Sequence, residues 1–366
     1  MQYGVPSVAQ TIALSLADIP GLADPTSVLR QDVASVLKAL VPGWHSVAPH
    51  TLELTHLSGG HSNLLLACAT AEAPEEKVVL RIYGVGTELF YARDDEIKTY
   101  RALAELPLGV GLVGLFANGR VETWIDGRPL TAFEMREPAL SVSIARKLRA
   151  LHDVDIPQGQ KTYALDKVHH WFSLAQARYT EERVDWVVFG RDVALATELV
   201  AAVPSPVVFG HNDVNCGNVL LAGGDIVLID FEYSHANPRG VDIANHFTEW
   251  CYFFPHTRPE LGDPAKYPTA AEQRRFAQAY LGEDCEAAAV DELLLEVLVH
   301  GLVAHLHWAL WAFLQAATHD GTFRYEDYAL DRWRMFAAQR PCAIEAVAKR
   351  TEQRLATDNV GNQASN

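Results

Sequence analysis

The chain has 366 residues, enough for one or two domains around a large core. Apolar residues make up 49% and charged residues 21%, the balance of a soluble globular protein rather than a disordered chain. Thirty basic against 46 acidic residues leave a net charge of −16, and no basic tract occurs, which argues against nucleic acid as a partner and against insertion into or attachment to an anionic membrane.

Cys68, Cys216, Cys251, Cys285 and Cys342 are odd in number, scattered and free of any CxxC spacing. That usage predicts free thiols in a reducing compartment, with the cytoplasm as the expected location. Asp18 and Asp24 stand where a secretory leader would carry no acid, so no signal peptide is expected.

In chain order, residues 1–50 read as a helical extension. Ser27 to Leu40 carries Val28, Leu29, Val33, Val36, Leu37 and Leu40 at helical spacing, and Pro42-Gly43 ends it. The period then changes. Residues 51–126 predict a small lobe: strands at 51–57, 63–69 and 77–83, a helix at 94–106, and two strands flanking Asn118-Gly119, a strong hairpin signal. Asp126-Gly127-Arg128-Pro129 reads as a hinge.

Residues 127–350 predict a larger, mainly helical lobe. Short strands are expected at 207–209, 218–221 and 226–229, with Gly223-Gly224 turning the last two back on each other and bringing Asp230 close to the loop after Phe209. Leu293 to Ala317 is apolar enough to suggest a membrane span, but Glu296, His300, His305 and His307 make a buried core helix the better reading. The polar residues 351–366 predict disorder. The fold class expected is α+β: a two-lobed, protein-kinase-like fold with a small antiparallel β lobe and a larger helical one.

The run from Phe209 to Trp250 carries most of the chemistry. His211-x-Asp213-x4-Asn218 is followed by Asp230-Phe231-Glu232 at the end of an apolar strand. Phosphoryl transfer from ATP needs a carboxylate beside the acceptor hydroxyl, and an amide oxygen and second carboxylate to hold Mg²⁺. Asp213, Asn218 and Asp230 supply these groups in that order, and Glu232 could add a further metal contact. Taken singly, each is more often a turn or cap residue.

The glycine-rich turn Ser58-Gly59-Gly60-His61-Ser62-Asn63 could lay backbone N–H groups over phosphates, although a match this short is more often a plain hairpin. Arg81 in the next strand could bind phosphate through two donors, with Glu96 on the following helix as its partner. Trp308 and Trp311, at i and i+3, share a helix face that could hold an ammonium group, with Glu249 adding charge; such pairs are more often core. His300, His305 and His307 do not make a zinc set, because His305-x-His307 does not share a helical face.

Asp230-Phe231-Glu232-Tyr233, then Gly240-Val241-Asp242-Ile243-Ala244-Asn245-His246-Phe247 and Glu249-Trp250, resembles the signature of the choline/ethanolamine kinases. Val79 to Gly84, with its arginine, and Trp308-Ala309-Leu310-Trp311 are similar to further motifs of that family, and the likeness runs from about Val36 to Pro341. The resemblance implies transfer of a phosphoryl group from ATP to ethanolamine or choline, a first step of phospholipid synthesis. It implies Asp213 as base, Asn218 and Asp230 as Mg²⁺ ligands, and Arg81 as phosphate contact. Tyr233, Glu249, Trp308, Trp311 and Tyr328 would line the amino-alcohol pocket. Phe254 also falls there, where the family often has tyrosine. Thr87-Glu88-Leu89 and Arg93 to Lys98 are more similar to ethanolamine kinases, whereas Glu249 to Tyr252 is more choline-like; ethanolamine is the acceptor favoured. Choline as the main acceptor, an aminoglycoside-type phosphotransferase and a catalytically inert binding module are the alternatives. A homodimer is compatible with the chain.

Overall fold

The structure is a computed structural model that describes residues 6–12, 16–24, 26–57, 63–84, 93–104, 111–155, 162–252, 258–318 and 323–363. It divides into two compact units: Met1–Arg128 with Ala222–Glu232, and Pro129–Leu221 with Tyr233–Asn366.

Unit 1 is built on a six-stranded sheet. Its elements are β1 (Ser7–Val8), α1 (Val28–Leu40), β2 (Leu52–Leu57), β3 (Asn63–Thr70), β4 (Ala73–Tyr83), α2 (Arg93–Ala104), β5 (Leu112–Phe116) and β6 (Gly119–Thr123). The strand order is β1-β5-β6-β4-β3-β2, antiparallel except for β1, which lies parallel to β5. The two-residue β1 is too short to leave a periodic signal in sequence. Asn118 helps hold this stretch: its amide accepts from Ile12 N at 2.9 Å and donates to Ile12 O at 2.8 Å. At Gly119 a Cβ would sit 2.2 Å from the Arg81 carbonyl oxygen, so the β5–β6 turn requires glycine.

Among the described residues before Thr51, helix α1 is part of this unit's core. Ser27 caps α1, accepting from Arg30 N at 3.2 Å, and Val33, Val36, Leu37 and Leu40 pack into the unit's core with Leu64, Leu66, Leu80, Ile82 and Val121. Each such side chain contributes about 1.5–3 kcal/mol on burial. Because side chains alternate along a strand, Arg81, between Leu80 and Ile82, is turned to the opposite face of the sheet. There it stands directly across from Arg120 of β6.

Unit 2 is mainly helical. It contains α3 (Pro138–His152), α4 (Ala164–Arg178), α5 (Trp186–Ala202), α6 (Arg239–Glu249), α7 (Ala270–Leu281), α8 (Ala287–Ala316) and α9 (Tyr325–Gln363). Strands Val207–Gly210 and His235–Pro238 pair antiparallel. Helix α8 packs against α4, α5, α6, α7 and α9, which explains why its sequence is apolar on every side. No helix among the described residues is long and apolar enough to cross a membrane. Two of the buried histidines of α8 reach partners in the protein: His300 Nε2 lies 2.8 Å from Val203 O, and His305 Nε2 lies 3.1 Å from Gln339 Oε1. Helix α9 runs on to Gln363, through residues whose polar composition predicted disorder.

Candidate active site

The charged groups of unit 1 gather on the face of the sheet away from its apolar core. Arg81 and Arg120 would repel each other across β4 and β6. Glu122 resolves this by accepting from both, at 3.0 Å from Arg81 Nε and 2.5 Å from Arg120 Nε. Arg81 Nη1 donates to Asp230 at 3.0 Å and lies 3.7 Å from Glu232. Glu96 accepts from Arg120 Nη1 at 2.5 Å.

The expected Arg81–Glu96 pair is therefore corrected: Arg120 takes Glu96, and Arg81 takes Glu122 and the Asp230-Phe231-Glu232 segment. Sequence reasoning missed Arg120 and Glu122. The strand spacing Arg120-x-Glu122, which puts both on one face, was the signal available. Arg120 also lies over the Tyr100 ring at 4.0 Å, and Tyr100 meets the Phe231 ring edge-on at 6.1 Å.

Asp230 has φ 64°, a left-handed conformation that aspartate tolerates better than most residues. Burial and then the Asp230 charge push the Glu232 carboxyl up to about 8, against the pull of Arg81. Asn63 Nδ2 donates to Glu232 at 2.6 Å, and Asn63 Oδ1 accepts from Gly84 N at 3.3 Å. Asn63 thus joins the same group. Ser58, Gly59, Gly60 and Ser62 lie outside the described residues, as does Phe254.

In unit 2 the segment from His211 to Asn218 is held by buried polar groups. Asp242, at the start of α6, accepts from His211 N at 2.7 Å and Asn212 N at 2.8 Å. His152 Nε2 lies 3.0 Å from the same carboxylate, and its Nδ1 lies 2.8 Å from the Tyr280 hydroxyl. Asn212 has φ 67° and is pinned by its side chain, which donates to Tyr233 O at 2.8 Å and accepts from Asn237 at 2.8 Å.

Asp213 follows this strained residue. One of its carboxylate oxygens accepts from Asn215 Nδ2 at 3.0 Å, the other from Asn218 Nδ2 at 2.9 Å. Both side-chain donations by Asn218 use Nδ2, the second going to Asp213 O at 2.9 Å, which leaves Oδ1 as the acceptor end of the amide. Asn215 and Asp242 were not singled out in the sequence; Asp242 sits inside the signature that resembled the family.

A second group in unit 2 is aromatic. Tyr233 and Trp308 lie 5.2 Å apart, Trp308 and Trp311 5.4 Å, Trp311 and Tyr328 6.4 Å, all edge-on. Trp311 Nε1 donates to the Tyr233 hydroxyl at 2.9 Å. The structure thus brings Tyr233, Trp308, Trp311 and Tyr328 together and adds Tyr325, 5.6 Å from Trp311. Glu249 joins them through Arg332, whose Nη1 donates to Glu249 Oε1 at 3.0 Å and to the Tyr328 hydroxyl at 3.2 Å. Burial raises the Glu249 carboxyl above its ordinary range, and Arg332 opposes that rise.

A sheet unit with a buried arginine in its third long strand, together with a helical unit bearing an Asp-x4-Asn loop, defines a protein-kinase-like fold. The choline kinase of Cryptosporidium parvum superposes with a TM-score of 0.74 at 23% identity, covering 86% of this chain and 96% of that one. Residues 54–337 match the choline/ethanolamine kinase family, and the chain belongs to it. A human choline/ethanolamine kinase is 34% identical over 333 residues, 81% of this chain and 82% of its own length. A probable ethanolamine kinase of Arabidopsis thaliana is 30% identical over 339 residues, 88% and 89% of the two chains.

Proposed function

We propose that this chain transfers the γ-phosphoryl group of ATP to the hydroxyl of ethanolamine, with choline as a second acceptor, giving ADP and the phosphomonoester. The observation that carries the reading is the aromatic box of Tyr233, Trp308, Trp311 and Tyr328, with the Glu249 carboxylate tied to it through Arg332. Aromatic faces attract an ammonium group by about 0.5–2 kcal/mol each, and this is what distinguishes such a pocket from a purely acidic one suited to aminoglycosides.

Asp213 orients the acceptor hydroxyl and takes its proton as the phosphoryl group departs. Its two amide contacts, from Asn215 and Asn218, fix the carboxylate plane before substrate arrives. A loose transition state asks little more of a base. Arg81, held at Nε by Glu122, is the phosphate-facing cation of the reading.

The donor chemistry suits Mg²⁺. Asp230 and Glu232 place two carboxylates beside the single Arg81 guanidinium, and the surplus negative charge is what raises Glu232 after burial. Asn218, Asp230 and Glu232 are the proposed ligands, and the ion would neutralise charge on the phosphate oxygens.

Ethanolamine is favoured because its strongly hydrated ammonium needs an acceptor such as Glu249 to offset desolvation. Choline is supported by the Arg332–Glu249 pair, which leaves the aromatic faces as the larger attraction. The proposed setting is the cytoplasm, with a homodimer as the proposed assembly. The test is ADP release in a coupled assay with ethanolamine, choline and an aminoglycoside side by side. Turnover with the aminoglycoside alone would overturn the reading, and a clear excess of kcat/KM for choline would overturn the preference.

A further inference from the structure

Arg332 is completely buried in α9, where a guanidinium loses its hydration and needs protein partners to offset that loss. Its two terminal nitrogens reach well beyond one partner. Nη1 donates to Glu249 at 3.0 Å and Tyr328 at 3.2 Å; Nη2 donates to Asn245 Oδ1 at 2.9 Å and to Ala304 O at 3.4 Å. Asn245 passes the connection on, because its Nδ2 donates to Asn212 O at 3.3 Å. Asn212 is the left-handed residue immediately before Asp213.

One ion pair with Glu249 would suffice to balance the charge. Here both arms of the fork are used. One holds two groups of the aromatic pocket, and the other holds the residue that contacts the catalytic turn. A lysine could supply the charge but not this two-armed geometry.

We propose that Arg332 is a positioning residue for the acceptor: it fixes Glu249 and Tyr328 and, through Asn245, sets their distance from Asp213. The inference rests on the reading that Glu249 and Tyr328 line the amino-alcohol pocket. It assigns two separable effects to one side chain. Loss of the Nη1 arm weakens acceptor binding. Loss of the Nη2 arm leaves the acceptor bound but poorly placed, and lowers kcat.

The experiment measures kcat, acceptor KM and ATP KM for ethanolamine and choline in the parent enzyme, Arg332→Lys, Arg332→Met, Glu249→Gln and the double variant Arg332→Met/Glu249→Gln, with melting curves for each. Arg332→Met should raise acceptor KM and lower kcat by about tenfold each while ATP KM stays within about twofold. Arg332→Lys should recover most of the acceptor KM and little of kcat. The double variant should lose less than the two single losses combined, since an amide in place of the Glu249 carboxylate no longer leaves a buried charge unpaired.

Acceptor KM and kcat near parent values in Arg332→Met overturn the proposal. So does a Lys variant with parental kcat, and so do equal rises in ATP and acceptor KM. If the Met variant does not fold, the Lys variant decides alone: lowered kcat at unchanged ATP KM supports the proposal, and unchanged kcat sinks it. A parent enzyme inactive on both amino alcohols would instead refute the proposed substrates.

Discussion

His246 offers a quantitative test of how the segment around Asp213 is held. Its ring is completely buried, with Nδ1 3.0 Å from Val214 O, one residue past Asp213, and Nε2 accepting from Trp250 Nε1 at 3.3 Å. That arrangement fixes the neutral tautomer with hydrogen on Nδ1, since a proton on Nε2 would face the indole N–H. Burial lowers the imidazole from 6.5 to about 4, outweighing the Val214 carbonyl and Asp242, which act the other way. The folded value lies below the unfolded one, so the unfolded chain takes up the proton first. Stability held above pH 6.5 is lost as pH falls toward 4. Each pH unit in that window is worth roughly 1.4 kcal/mol, so His246 alone accounts for about 2 kcal/mol between about pH 6.5 and 5.

The perturbation is His246→Gln, which cannot titrate. Because other groups also titrate here, the useful quantity is the difference between parent and variant, in which they cancel. Urea unfolding followed by tryptophan fluorescence suits the purpose, since Trp171, Trp186, Trp250, Trp308, Trp311 and Trp333 all lie in unit 2. At about pH 7.5 the variant should be less stable by about 1–3 kcal/mol, from lost packing and hydrogen bonds. The gap should close by about 2 kcal/mol on going to about pH 5. A gap that stays constant across that range would refute the reasoning.

Other substitutions separate the proposed roles. Asp213→Asn should retain the fold and ATP binding but lose turnover by about 10²–10⁴-fold; near-normal turnover would remove Asp213 from the mechanism. Asp230→Asn is a better probe than alanine, because asparagine accepts the left-handed backbone at φ 64°. It should nearly abolish Mg²⁺-dependent activity, and an unchanged Mg²⁺ titration would count against the metal assignment. Arg81→Lys should raise ATP KM more than acceptor KM, since lysine cannot hold Glu122 and Asp230 at once; movement of the acceptor KM alone would point elsewhere. Glu249→Gln should reduce kcat/KM for ethanolamine more than for choline, and Trp308→Ala the reverse; equal losses would assign both residues to the fold.

Much of unit 1 was legible because strands announce themselves by alternation and turn chemistry. Leu80 and Ile82 bracketing Arg81, and Asn118-Gly119 between apolar runs, gave β5, β6 and the end of β4, although β4 begins at Ala73 rather than at Lys77. Helix α1 was legible from its apolar spacing, although the capping role of Ser27 was not read there. Helices α4 and α5 were not singled out, although the mainly helical character of that region was. The side-chain partners were less accessible. Glu96 went to Arg120 because the register of β4 against β6 sets two arginines face to face, and no local pattern encodes a register. Arg332 and Glu249 are 83 residues apart on different helices, so only folding reveals that the Glu249 carboxylate is already paired. Asp213, Asn218 and Asp230 could be proposed from sequence for the opposite reason: they stand at short spacings within one segment.

The positive φ at Asn212 and Asp230 bears on how this sequence can change over time. At both positions a β-branched or bulky residue would strain the backbone, so substitution is steered toward asparagine, aspartate and glycine. At 230, asparagine and glycine fit the backbone as aspartate does but carry no charge. A descendant released from selection for catalysis could therefore lose its proposed metal ligand through a single acid-to-amide change while keeping its fold. Activity and foldedness would then drift apart, and such inert copies would persist as intact proteins. Among relatives of this chain, they should be recognisable by asparagine or glycine at this place rather than by alanine or valine.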